Sequence, residues 1–62
     1  MTQEEYIDKI IGLYFDLKFA MIFNSEKTIT EITKELENLM SSAADELTDE
    51  ELIQMGFVLE KL

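Results

Sequence analysis

The stretch Thr2–Phe23, TQEEYIDKIIGLYFDLKFAMIF, decides the fold, because it holds five of the six aromatic residues of the chain. In a helix with about 100° per residue, one apolar face is formed by Ile7, Ile10, Leu13, Tyr14, Leu17 and Met21. Phe15, Phe19 and Phe23 recur at every fourth position and form a second strip, the aromatic ridge. A helix that is apolar on two sides must be covered on two sides. The stretch therefore predicts a central helix covered by the rest of the chain, by a second copy or by another protein.

The length and composition limit how such a helix can be stabilised. The chain has 62 residues, no Cys and no His, which is enough for a single domain, residues 1–62. A chain of this length buries only about 60% of its unfolded surface. Disulfides and Cys or His metal sites are excluded, so oligomerisation or partner binding is the remaining source of stability. We therefore expect a homodimer that buries the aromatic ridge.

Start and stop signals predict three helices, at about residues 3–23, 28–46 and 49–61. Three Thr–Glu pairs have the spacing of a capping box: Thr2 with Glu5, Thr28 with Glu31, and Thr48 with Glu51. Ser25 and Thr30 are alternative caps for helix 2. Asn24–Ser25 is expected to end helix 1, because Asn tolerates the left-handed conformation found at helix ends.

Helices 2 and 3 each have a narrow apolar face. In helix 2 it consists of Ile29, Ile32, Leu36, Leu39, Met40, Ala43 and Leu47. In helix 3 it consists of Leu52, Met55, Leu59 and Leu62, with Ile53 and Phe57 as a smaller second ridge. We predict an all-α, small three-helix domain, in which helix 2 packs antiparallel along the Ile10, Leu17 and Met21 side. The shorter helix 3 is expected to fold back against the end of helix 1, and Gly12 and Gly56 are expected to permit close helix approach.

The net charge of −9 comes from 14 acidic residues against five lysines. It argues against direct binding to nucleic acid or to anionic membranes, both of which need basic surfaces. It favours a basic protein as the partner, if there is a partner. The longest apolar run, residues 10–23, is interrupted by two charges and is shorter than the roughly 20 residues of a membrane span. With no basic signal-peptide start, the chain is predicted to be cytoplasmic.

No combination of residues indicates catalysis. The chain lacks His, Cys and Arg, so the common general bases, thiol nucleophiles and phosphate clamps are missing. The acids of residues 45–51 do not form a calcium-binding loop, and helix capping explains the last three of them. We predict no enzyme activity, no cofactor and no metal.

The sequence favours a small acidic regulatory or adaptor protein that acts by stoichiometric protein–protein binding through the aromatic ridge. The predicted interface consists of Phe15, Phe19, Phe23, Gly12, Ile53 and Phe57. One alternative is an acidic nucleic-acid mimic that blocks the basic groove of a DNA- or RNA-binding protein. Its contacts would be Glu31, Glu35, Glu37, Asp45, Asp49 and Glu50. A structural oligomerisation module is the other alternative.

Overall fold

The structure, a computed structural model, describes residues 1–61, which form three α-helices and no strand. Helix α1 spans Gln3–Ile22, α2 spans Glu26–Glu46 and α3 spans Asp49–Glu60. The predicted all-α architecture with three helices is thus confirmed. The residue Leu62, expected on the buried face of helix 3, lies outside the described residues. Among the described helices, none combines the length and the apolar character needed to cross a membrane.

The turn between α1 and α2 forms at the predicted position. Asn24 has a φ of 56°, in the left-handed region. The backbone N–H of Ser25 donates to the carbonyl of Ala20 at 2.9 Å, and that of Asn24 donates to Met21 at 3.2 Å. This pair of hydrogen bonds is the Schellman arrangement, which closes a helix and reverses the chain. It confirms the expectation that Asn24 and Ser25 end the first helix.

The capping boxes at the starts of α1 and α3 are also confirmed. Thr2 Oγ1 accepts from the N–H of Glu5 at 3.3 Å, and the Glu5 carboxylate accepts from the N–H of Thr2 at 3.0 Å. Thr48 and Glu51 repeat the pattern at 3.2 and 3.1 Å. The box expected at Thr28 is wrong, because the tight turn at Ser25 lets α2 begin at Glu26, which places Thr28 inside the helix.

Contacts near the ends of the helices define their directions. The ammonium group of Met1 lies 2.7 Å from Glu46 Oε2, so the start of α1 is next to the end of α2 and the two helices are antiparallel. The side-chain amide of Gln3 donates to the carbonyl of Glu51 at 2.9 Å. Helix α3 therefore starts beside the first turn of α1, and Leu59 near its end lies beside Tyr14. Helix α3 thus packs along α1 from Gln3 to about Tyr14 in the same direction, rather than against the end of α1 as expected.

The core lies where all three helices meet, which we call the three-helix end. Its buried residues are Tyr6, Ile10, Ala43 and Met55. At about 1.5 Å per residue, α3 is about 18 Å long and α1 about 30 Å, so α3 does not reach the last third of α1. There α1 packs against α2 alone, with only Ala20 and Ile32 buried. We call this part the two-helix end.

The shortness of α3 explains one wrong expectation. Met21 lies on the same face of α1 as Ile10 and Leu17 and was expected in the core, yet 61% of its surface is exposed. Met21 follows the segment that α3 covers, so no third helix packs on it. Of the predicted apolar face of α1, only Ile10 is buried, and the other residues before Met21 are partly buried. The buried Tyr6 and Ala20 were not assigned to that face.

Neither glycine marks a close contact between helices, contrary to expectation. A Cβ atom added at Gly12 or at Gly56 would meet no atom within 4 Å. Gly12→Ala is therefore expected to raise the free energy of unfolding by about 0.5–1 kcal/mol, because alanine loses less backbone entropy in a helix. Gly56→Ala is the matched substitution in α3. Urea denaturation followed by circular dichroism measures both changes, and a loss of stability in Gly12→Ala would show a close contact at that position.

Candidate protein-interaction surface

The aromatic ridge is uncovered. Phe15, Phe19 and Phe23 are 55%, 60% and 77% exposed. Phe19 is nine residues from the fully buried Ile10, which at about 100° per residue places it on the opposite side of α1. The ridge therefore faces away from the core, and neither α2 nor α3 covers it.

Phe15 forms the edge of the ridge that faces away from α2. The ammonium nitrogen of Lys18 lies 5.8 Å from the centroid of the Phe15 ring, within cation–π range. Ile11 and Tyr14 lie next to this pair. Lys18 thus extends over an aromatic ring at the surface, and its charge stays exposed to solvent.

Phe19 and Phe23 form one side of a groove between α1 and α2 at the two-helix end. The apolar residues Leu13, Ala20 and Ile32 form the floor of this groove, and the hydroxyl residues Ser25 and Thr28 also line it. Carboxylates line both walls: Asp16 on α1, and Glu31 and Glu35 on α2. The groove continues past Gly12 to Lys9 through shared lining residues. We call this feature, with its three carboxylates, the acidic groove.

The remaining predicted interface residues lie elsewhere. Ile53 and Phe57 are each 61% exposed on α3 and, with Met40 of α2, border a second depression, the α3 patch. The α3 patch and the acidic groove share no lining residue. Glu60 is the one carboxylate among the described residues that line the α3 patch. The predicted interface is thus divided between two surfaces. The first is the aromatic ridge with the adjoining acidic groove, which carries three carboxylates. The second is the α3 patch, which is less charged.

The acidic residues chosen from the sequence are spread over several faces. Glu31 and Glu35 line the groove, whereas Glu37 and Asp45 each point about 140° away from the buried Ile32, in opposite directions. Asp49 and Glu50 occupy the first turn of α3, where acids complement the helix dipole.

Asp16 was not chosen from the sequence, although it lines the groove. Its position three residues before Phe19 places it near the ridge. Asp16 faces Glu31 and Glu35 only because of the way α2 packs against α1, which the sequence does not specify.

The ionisable groups with shifted pKa values lie at the three-helix end. Burial raises the pKa of the Tyr6 hydroxyl, and the neighbouring Glu46 carboxylate raises it further. A hydrogen bond from the Met1 ammonium group lowers the pKa of the Glu46 carboxylate, and a hydrogen bond from Tyr6 lowers it further. These shifts come from packing α1 against α2 and lie far from the acidic groove.

The groove carboxylates have no cationic partner within the described part of the chain, where the one ion pair joins Met1 and Glu46. Nor do residues 1–61 contain a group of three acidic side chains arranged to hold a metal ion. Asp16, Glu31 and Glu35 therefore present separate charges along the groove.

Comparisons of the chain with protein-family models, with curated proteins and with solved structures gave no match. The function must therefore be argued from the side chains and their placement.

Proposed function

We propose that this chain is a small non-enzymatic binding protein that acts by stoichiometric association with another protein through the aromatic ridge. One observation carries the proposal. Four of the nine residues 15–23 are large, apolar and exposed on the side of the ridge, namely Phe15, Phe19, Ile22 and Phe23. Contiguous apolar surface of this kind on a soluble chain commonly marks an interaction site.

The chemistry of the ridge suits binding better than packing within the chain. Aromatic side chains contribute large contact areas and often dominate the energy of protein interfaces. Three of them project from one continuous helix and its C-cap, so their spacing is set before a partner arrives. Little ordering entropy is then lost on binding, which favours affinity.

Photo-crosslinking tests this proposal without removing a contact in advance. A photoreactive phenylalanine analogue replaces Phe19, and the purified chain is irradiated in an extract of the organism that encodes it. We expect one main adduct with a single protein at a one-to-one ratio. The same analogue in place of Glu37, on the outer face of α2, is the control and should give no such adduct. Equal adducts from both positions would contradict a specific surface.

A homodimer is the second candidate, because the core is small and lies at one end of the molecule. Self-association through the ridge, as expected from the sequence, would give a crosslinked species of twice the chain mass in the purified protein alone. The α3 patch is another surface for self-association, because only one carboxylate borders it among residues 1–61. Crosslinking from position 57 in place of Phe57 distinguishes these two homodimers.

The nucleic-acid mimic remains the alternative function. Such a mimic binds mainly through its carboxylates, so its affinity should fall steeply with salt. Docking through the aromatic ridge should lose only part of its affinity at high salt, because salt screens the contacts of the carboxylates but not the apolar contacts of the phenylalanines. A salt titration with the crosslinked partner, once identified, separates the two functions.

A further inference from the structure

We propose that the acidic groove binds an amphipathic helix whose apolar stripe is flanked by Lys or Arg. This inference rests on the proposed function and specifies the chemistry of the partner. Its basis is the arrangement of the groove, which has an apolar floor and aromatic edge between two walls that both carry carboxylates.

The length of the groove matches a short helix. It follows α1 from Phe23 to Lys9, which are 14 residues apart and span about 21 Å. A partner helix of about 14 residues, or four turns, has the same length. Helices that dock in such grooves insert apolar anchors at positions i, i+3 or i+4, and i+7. Phe19, Phe23 and the floor residue Leu13 would contact these anchors.

The charges of the groove determine which helix fits. Asp16 on one wall and Glu31 and Glu35 on the other have no lysine between them, and Lys9 lies at the far end of the groove. Glu31 and Glu35 are one helical turn apart, and like charges at that spacing disfavour the helix when they are unpaired. Cations on both sides of the partner's apolar stripe would neutralise both walls at once.

Other occupants fit less well. A second copy of the chain carries a net charge of −9, and its own ridge is accompanied by Asp8 and Asp16. Two ridges facing each other would bring Asp8 and Asp16 of both copies together against the single Lys18 that each ridge carries at Phe15, which is unfavourable. A single metal ion is a poor occupant, because no three acidic residues among the described ones are arranged to coordinate it.

The test uses two fluorescent model peptides with the same apolar stripe, one flanked by Lys and the other by Glu. Fluorescence anisotropy measures their dissociation constants with the purified chain at about 50 mM and about 500 mM salt. We expect the Lys-flanked peptide to bind, with an affinity that falls as salt rises. We expect the Glu-flanked peptide not to bind.

Two triple variants with the same net charge locate the binding site. Each removes three negative charges and changes the net charge from −9 to −6. The groove variant is Asp16→Asn, Glu31→Gln and Glu35→Gln. The control variant is Glu37→Gln, Asp45→Asn and Glu50→Gln. The dissociation constant of the Lys-flanked peptide should rise about tenfold with the groove variant and less than about threefold with the control variant.

An equal effect of the two variants would overturn the inference, because binding would then depend on net charge alone. Equal binding of the two peptides, or loss of binding in Phe57→Glu but not in Phe19→Glu, would also overturn it. Failure of this inference and failure of the proposed function can be told apart, because they give different results. If position 19 crosslinks a protein but the Lys-flanked peptide does not bind, the proposed function stands and the cationic helix is the wrong partner. If neither occurs, both are wrong.

Discussion

Replacement of Ile10 by alanine is expected to lower the free energy of unfolding by about 2–5 kcal/mol. Ile10 is fully buried at the three-helix end, in contact with the small cluster that forms the core. The removed methyl groups leave a cavity that three helices on short connections can only partly close. A chain of this size rarely has more than about 3–5 kcal/mol of stability, so a large fraction of the variant should be unfolded at room temperature.

The same substitution at Ile22 is the matched control. Ile22 is the last residue of α1 and is 74% exposed. Ile22→Ala should change the free energy of unfolding by less than about 0.5 kcal/mol. Urea denaturation followed by circular dichroism measures both variants under the same conditions. Similar losses of stability in the two would show that the core extends to the end of α1, contrary to the arrangement described here.

Phe19→Glu is expected to weaken binding of the crosslinked partner at least about 30-fold, which corresponds to about 2 kcal/mol at an interface hot spot. Phe19 is at the centre of the aromatic ridge, and a carboxylate there would lose its water in the complex against the apolar anchors of the partner. Because Phe19 is 60% exposed in the free chain, the free energy of unfolding should change by less than about 0.5 kcal/mol. Isothermal titration calorimetry gives the affinity, and urea denaturation checks the fold.

Phe57→Glu is the control for this substitution. Phe57 is 61% exposed, nearly the same as Phe19, but it belongs to the α3 patch. The two variants have the same charge and lose the same side chain. Affinity should fall in Phe19→Glu alone, and a loss confined to Phe57→Glu would assign binding to the α3 patch.

Local signals in the sequence predicted the helix ends well, because each depends on a few neighbouring residues. The capping boxes at Thr2 and Thr48 need only a Glu three residues later, and both form. The stop at Asn24 needs a residue that accepts a positive φ. The prediction of a capping box at Thr28 was wrong because two start signals competed. The turn at Ser25 starts α2 at Glu26, before Thr28 can act as the cap.

The position of Met21 shows what the periodicity of α1 could not predict. Periodicity identifies a face of a helix, but it does not say how far along the helix a neighbour extends. That depends on where α3 starts, which the contact between Gln3 and Glu51 sets, and on its length of 12 residues. The sequence alone therefore overestimated the covered part of α1 and correctly singled out Phe15, Phe19 and Phe23 as surplus apolar surface.

The acidic groove was the part of the candidate site least accessible from sequence. Glu31 and Glu35 were predicted as contacts of a nucleic-acid mimic, and Phe19 as a residue of the aromatic ridge. No local sequence signal places these residues together. Their meeting with Asp16 depends on how α1 and α2 pack. The separation of Ile53 and Phe57 from the ridge has the same cause, because it follows from α3 packing at the other end of the molecule.

The four phenylalanines of the chain allow a direct test of whether the aromatic ridge is open in the free chain and covered by a partner. Three form the ridge, and Phe57 is an internal control on another surface. Fluorine NMR of fluorophenylalanine-labelled chain, with a soluble paramagnetic probe, reports the exposure of each ring. In the free chain all four signals should broaden with the probe. After addition of the crosslinked partner, the signals of Phe15, Phe19 and Phe23 should be protected and that of Phe57 should not. Protection of Phe57 alone would show that the partner binds the α3 patch. Protection of the ridge signals already in the free chain would show that the ridge is not open there.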